Sequence, residues 1–194
     1  MIVQSHLSVA SMIANELKKH GLLLNKKNFM FGSIKPDISS MLKKHPHKIN
    51  HSLDFIMQRT FALFSQDVLE DIKEFSYQLG IICHYITDFF TFAHNSFFQG
   101  PFSEHLAYER SLNNYVKRIA KSDDRTSIMY NISDSIEAFK DYLKNMHSVY
   151  MEKAVSFERD FSYAISLCMS FCLTVRAIML GAVESTAPAQ YSIV

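Results

Sequence analysis

Apolar residues recur at intervals of three and four along almost the whole chain, and no stretch alternates convincingly with period two. That spacing lines one face of a helix and cannot line one face of a sheet. Five Gly and four Pro in 194 residues are too few for the turns of an all-β fold. Helices are predicted over Ser5–His20, closed by Gly21, and over Asp37–Lys44 after Pro36. Five more are predicted over Asn50–Phe64, Asp67–Phe92, Ser103–Ala120, Ser133–Lys153 and Ser156–Gly181. Ser, Asp or Asn stands before several of them, as N-caps do. Turns are expected at Gly32–Asp37, His45–His47 and Gln99–Pro101, and a polar loop at Lys121–Arg125. The expected fold is all-α: one compact domain of about seven helices over residues 1–182, then a flexible tail over 183–194.

A chain of this length buries roughly 70% of its extended surface and needs no disulfide staples. Cys83, Cys168 and Cys172 all sit in apolar surroundings and read as buried free thiols of a reducing compartment. The first 19 residues carry no basic segment leading into an apolar run, so they read as a helix and not a secretion signal. A cytoplasmic location is the expectation. The most apolar stretch, Phe161–Val175, is 15 residues long and short for a membrane span, so a central buried helix is expected and no transmembrane segment. Twenty basic residues against 19 acidic ones leave a net charge of +1, which gives no broad grip on a phosphate backbone. No stable nucleic-acid complex is expected.

Against that neutral background the chain carries nine histidines and no tryptophan. His84 and Asp88 lie four apart on a predicted helix, so both project from one face, one turn apart. His105 and Glu109 repeat the arrangement on the next helix. Such pairs offer nitrogen and oxygen to a metal at about 2.0–2.2 Å. His94, six residues beyond Asp88, would point away if the helix continued, so it joins the same site only if the helix ends near Phe92. Singly, Asp37 reads as an N-cap and His6 and His51 as solvated residues; their order along the chain is what stands out. His20, His45, His47 and His147 match no such position and read as surface residues. Phe89, Phe90 and Phe92 read as core, Phe97 and Phe98 as an apolar rim beside His94, and Met12, Met169 and Met179 as core filling.

These segments, a His near the start, G-x-x-x-P-D at Gly32–Asp37, His51, H-Y-x-x-D-x-x-x-x-x-H at His84–His94 and H-x-x-x-E at His105–Glu109, resemble the zinc-dependent phospholipase C family, whose fold is shared with single-strand-specific zinc nucleases. The resemblance implies an all-α domain around a trinuclear zinc cluster that cleaves phosphodiester bonds with a metal-activated water. It implies one Zn²⁺ held by Asp37, His51, His84 and Asp88, and a second by His94, His105 and Glu109. A third would take His6, a bridging oxygen of Asp88, and the backbone amine and carbonyl of the first residue, here Met1 where the family usually has tryptophan. Asp37 falls at the position proposed as general base. Other divalent transition metals suit the same donors.

The family's choline-reading pattern is missing: no acidic residue precedes His6, Ile38 follows Asp37, and Lys48 lies three before His51. Lys35, Lys43, Lys44 and Lys48 suit an anionic head group instead. The leading expectation is a zinc-dependent phosphodiester hydrolase, phospholipase C-like, acting on a phospholipid or related head group. The alternatives are a single-strand nuclease of the same fold, which would want aromatic platforms and a basic groove, and a non-catalytic metal-binding helical protein. Structural zinc usually favours Cys, and eight side-chain ligands exceed one closed site.

Overall fold

The structure, a computed structural model, describes residues 1–40, 44–122 and 128–186, the last five of these by backbone alone. It is all-α, with no strand among the described residues. Helix α1 spans Val3–Lys19, α2 Lys26–Gly32, α3 Ile49–Ala62, α4 Gln66–Glu70 and α5 Ile72–Phe89. A 3₁₀ turn at Phe92–His94 precedes α6 (Phe102–Lys121), α7 (Ile136–Glu152) and α8 (Phe157–Thr186).

Local chemistry explains where these boundaries fall. Gly21 adopts φ +76°, the left-handed conformation that ends α1 without a Cβ penalty. The single helix expected over Asp67–Phe92 is interrupted at Asp71, whose carboxylate accepts from the Lys73 and Glu74 amides and so caps a new helix. Helix α2 was not anticipated; Asn25 caps it through the Asn28 amide. Over Asp37–Ser40 the expected helix is replaced by turn and bend, and residues 41–43 lie outside the described set. So do residues 123–125 of the expected polar loop and 187–194 of the expected tail. Helix α8 runs past Gly181 to Thr186.

The core is built around α5, whose residues from Leu79 to Phe89 are all buried. Helices α1, α2, α3, α4 and α8 pack on it, and α8 also meets α1, α6 and α7. By length and hydropathy Phe157–Gly181 could cross a membrane, but most of its apolar stretch is buried inside the protein. The fifteen-residue reading thus undercounts this helix while placing it correctly in the core. Cys83, Cys168 and Cys172 are free and buried there, and Met169 is fully buried. Phe89 and Phe90 are core residues, whereas Phe97 is 53% exposed in the loop after the 3₁₀ turn.

Candidate metal centre

Helix α5 delivers His84 and Asp88 from one face, one turn apart, both wholly buried. A histidine and a carboxylate at that depth need partners, because burial without them costs several kcal/mol. The His84 Nδ1–H donates to the Ser33 carbonyl at 2.8 Å, which fixes the ring and leaves Nε2 facing inward. Ser33 reaches His84 because α2 and α5 cross at two glycines: a Cβ on Gly32 would strike the Tyr77 carbonyl oxygen, and one on Gly80 the Phe29 carbonyl oxygen.

Around Asp88 the donors converge from four segments. Its Oδ1 lies 3.4 Å from His6 Nε2 of α1, 3.6 Å from His94 Nε2 of the 3₁₀ turn, and against the Met1 amine. Its Oδ2 lies 2.8 Å from His47 Nδ1 and 3.5 Å from His84 Nε2. Asp37 Oδ1 stands 3.7 Å from both His47 Nδ1 and His84 Nε2. On the other side Glu109 Oε1 lies 3.0 Å from His94 Nε2 and 3.3 Å from His105 Nε2, and 3.0 Å from the Met1 nitrogen. Helix α5 ends at Phe89 and the 3₁₀ turn swings His94 back, as the spacing argument required.

His51 is the exception. The family pattern gives it to the first ligand set, yet it is exposed and lines a separate groove with Asp54, Lys140 and Lys144. Its place is taken by His47, expected at the surface and instead 4% exposed. The reason is the face of α3. Ile49, Ser52, Leu53, Ile56 and Met57 are its buried residues, and His51 lies about 200° around the helix from Ile49. His47 precedes α3, held by Pro46, whose carbonyl accepts from Ser52 Oγ and the Lys48 amide. That apolar spacing after Ile49 was visible in the sequence and was the signal that separates the two histidines. His147, also expected at the surface, is half-buried and donates to Asn95. His45 is half-buried and stacks on Phe55.

The electrostatics of the cluster favour a cation. Among the described residues no Lys or Arg forms an ion pair with Asp37, Asp88 or Glu109; the Met1 amine reaches Asp88 and Glu109. Burial works against its charge, but Asp88 and Glu109 raise it to about 10. Burial would likewise lift the Asp88 carboxyl, yet His94, the amine, His6 and His47 hold it well below the usual carboxylate range. Glu109 is also held far down, its burial outweighed by hydrogen bonds from His105 and His94. Burial pushes His84 well below its ordinary value and His94 down to about 4, which keeps both rings neutral and able to donate a lone pair. Asp37 is raised, chiefly by burial.

The donors also fit a metal geometrically. Ligands about 2.0–2.1 Å from a tetrahedral zinc stand about 3.3 Å from one another. The separations of 3.3–3.7 Å between His84, His47 and Asp37, and between His105 and Glu109, are of that size. Within each of three groups, His6/Asp37/His84/Asp88, His47/Asp88/His94 and His94/His105/Glu109, every donor atom lies within 4.8 Å of the others. His6 Nε2 and Asp88 Oδ2 are buried without a hydrogen-bond partner; His47 Nδ1 is close to the latter but lacks hydrogen-bond geometry. Buried nitrogen and oxygen atoms left without a hydrogen-bond partner inside such a cluster are what ligands look like when they serve an ion.

The centre opens to solvent through a cavity of about 560 Å³, walled by Ile2, Val3, Gln4, Pro46 and Lys48 beside the cluster. Phe98 and Phe102 flank His105 at this end, Phe102 being 74% exposed.

Comparison with known proteins bears on the same residues. No curated protein and no solved structure matches the chain. The family profile described as zinc dependent phospholipase C matches residues 5–157, a span that holds every cluster side chain from His6 to Glu109. With four-fifths of its length matched and its fold all-α, the chain belongs to the zinc-dependent phospholipase C family.

Proposed function

We propose that the protein is a zinc-dependent phosphodiester hydrolase that cleaves the head-group phosphodiester of a phospholipid, with up to three ions in the cluster. The observation that carries this reading is Asp88, whose two oxygens face two different sets of donors. His94 has a single Nε2 directed inward and so serves one ion, which partitions the ligands. Asp37, His47, His84 and Asp88 Oδ2 form one set, and His94, His105 and Glu109 a second. His6, Asp88 Oδ1 and the Met1 amine form the third. When bound, zinc polarises phosphoryl oxygens and lowers the pKa of an attacking water toward 7.

The chain's own residues supply the rest. Asp37 is the cluster carboxylate most open to the cavity, at 19% exposed, and is placed to accept a proton from water there. Gln4 and Lys48 on the wall offer donors to a phosphate or an anionic head group. Ile2, Val3 and Pro46 offer the glycerol and first acyl carbons an apolar surface. Among the described residues no Phe or Tyr lines the cavity, so its walls give single-stranded bases no stacking platform. Among the same residues the cavity holds no acidic side chain outside the ligand sets with which to read choline.

Zinc-loaded protein, assayed on short-chain phosphatidylglycerol and phosphatidylcholine with phosphorylated head group as the product, tests the proposal. Hydrolysis is expected, faster on the glycerol head group, and lost on chelation and in Asp88→Asn. Cleavage of single-stranded DNA with none of either lipid would overturn it, as would activity that survives Asp88→Asn.

A further inference from the structure

Asp160 lies outside the cluster and three residues beyond the segment matched to the family. It is a fully buried carboxylate in the first turn of α8, and its two oxygens divide between two sides of the molecule. Oδ1 accepts from the Tyr150 hydroxyl of α7 at 2.7 Å and from the Arg159 guanidinium at 2.8 Å. Oδ2 accepts from the Phe92 amide at 2.7 Å and from the Tyr108 hydroxyl at 2.8 Å. Phe92 opens the 3₁₀ turn that ends in His94. Tyr108 is the neighbour of Glu109 on α6 and lies one turn after His105. One oxygen thus binds both segments that carry the second ligand set, and the other anchors that grip in the core. The Phe92 ring also packs against Tyr108, so the two segments meet at this point.

We infer that Asp160 is a positioning residue for the His94/His105/Glu109 site. It sets the distance between the 3₁₀ turn and α6, and hence whether the three donors fall close enough to share one ion. The inference rests on the metal reading of the cluster. The Phe92 amide has no turn partner that replaces Asp160, because residue 92 follows the end of α5 and its hydrogen bond goes to this carboxylate. In Asp160→Asn the amide nitrogen must face one pair of these donors, so either the site side or the core side is lost. Outer partners that orient metal ligands typically change metal affinity about 10–100-fold.

Metal binding measured without any substrate decides the matter. Equilibrium dialysis gives zinc stoichiometry and affinity, and the visible spectrum of cobalt-loaded protein reports ligand geometry. In Asp160→Asn one ion is expected to weaken at least tenfold with an altered cobalt spectrum, while the remaining zinc is held as in the parent. Tyr108→Phe removes a hydroxyl on the site side alone and is expected to shift the same ion in the same direction. Tyr150→Phe removes one on the core side alone and is expected to lower thermal stability while leaving affinity and spectrum unchanged. Should Asp160→Asn fail to fold, the contrast between Tyr108→Phe and Tyr150→Phe decides. Unchanged zinc affinity and cobalt spectrum in Tyr108→Phe and in folded Asp160→Asn would overturn the inference while leaving the metal reading intact. A parent protein that binds no zinc would overturn both.

Discussion

Asp88 presents Oδ1 to His6, His94 and the Met1 amine and Oδ2 to His47 and His84. A side chain shared in this way contributes to more than one ion, whereas each histidine contributes to one. Asp88→Asn is therefore expected to release more zinc than any single histidine substitution, a ranking that metal analysis of dialysed protein checks directly. The two histidines around α3 provide a sharper contrast. His47→Ala removes a buried donor and is expected to lower zinc content and reduce hydrolysis by about 10²-fold or more, beyond the about 10–100-fold typical of outer partners. His51→Ala alters an exposed side chain and is expected to leave both within twofold. A loss in His51→Ala with none in His47→Ala would restore the assignment that the family resemblance implies. That spacing made His84, Asp88, His105 and Glu109 legible, because an i,i+4 pair needs only the helix to exist. It could not make His47 legible in the same way. His47 joins the site through a turn closed by Pro46 and Ser52, and chain order alone does not say which of two nearby histidines turns inward.

The crossing of α2 and α5 fixes the distance from Ser33 to His84, and two glycines set how close the helices come. Alanine at Gly80 would improve helix propensity by about 1 kcal/mol. Its Cβ, however, would press on the Phe29 carbonyl, which as backbone cannot rotate away. Overpacking of that kind costs roughly 1–3 kcal/mol, so Gly80→Ala is expected to be destabilising overall and to loosen the hold on His84. Gly181→Ala on α8 is the control. Among the described residues nothing lies within 4 Å of its Cβ position, so a gain of up to about 1 kcal/mol is expected. Denaturant midpoints that move in opposite directions for the two variants are the check. Close approach of this sort is invisible in a single sequence, where Gly32 reads as a turn residue and Gly80 sits unremarked inside a predicted helix. The predicted elements themselves were legible wherever a long amphipathic face existed, as in α1, α6 and α8. They were not legible where one side chain decides, as at Asp71, or where the segment is seven residues long, as in α2.

Taken as a whole the molecule is nearly neutral, so its response to pH comes from the buried cluster and not from surface charge. In the metal-free protein His94 is lowered from 6.5 to about 4, and His84 is lowered as well. The unfolded chain therefore binds more protons, and the stability these rings contribute is full above pH 6.5 and lost as pH falls toward 4. For His94 alone the loss is on the order of 3 kcal/mol. Asp88 and Glu109, both held low, extend the loss below pH 4. Asp37, raised by burial, works in the opposite direction as a single group. The Met1 amine is raised from 8.0 to about 10, so its contribution is full below pH 8 and disappears as pH rises to 10. The metal-free protein is thus expected to show a plateau of thermal stability between about pH 6.5 and 8, falling on both sides. Zinc should change the two limbs differently. Ligands must be deprotonated to bind, so the stabilisation by zinc should shrink as pH falls toward 5, because the Met1 amine, raised to about 10, must give up its proton to the solvent. On the alkaline side a bound ion replaces the ammonium charge beside Asp88 and Glu109. Loss of the amine proton then costs nothing further, and the fall between pH 8 and 10 should vanish under saturating zinc. Thermal unfolding across pH 5–10, with zinc and with chelator, separates the cases. An alkaline fall that persists at saturating zinc would show that the Met1 amine stays protonated and is not a ligand. A plateau that keeps its shape on both sides would mean that the ion binds elsewhere.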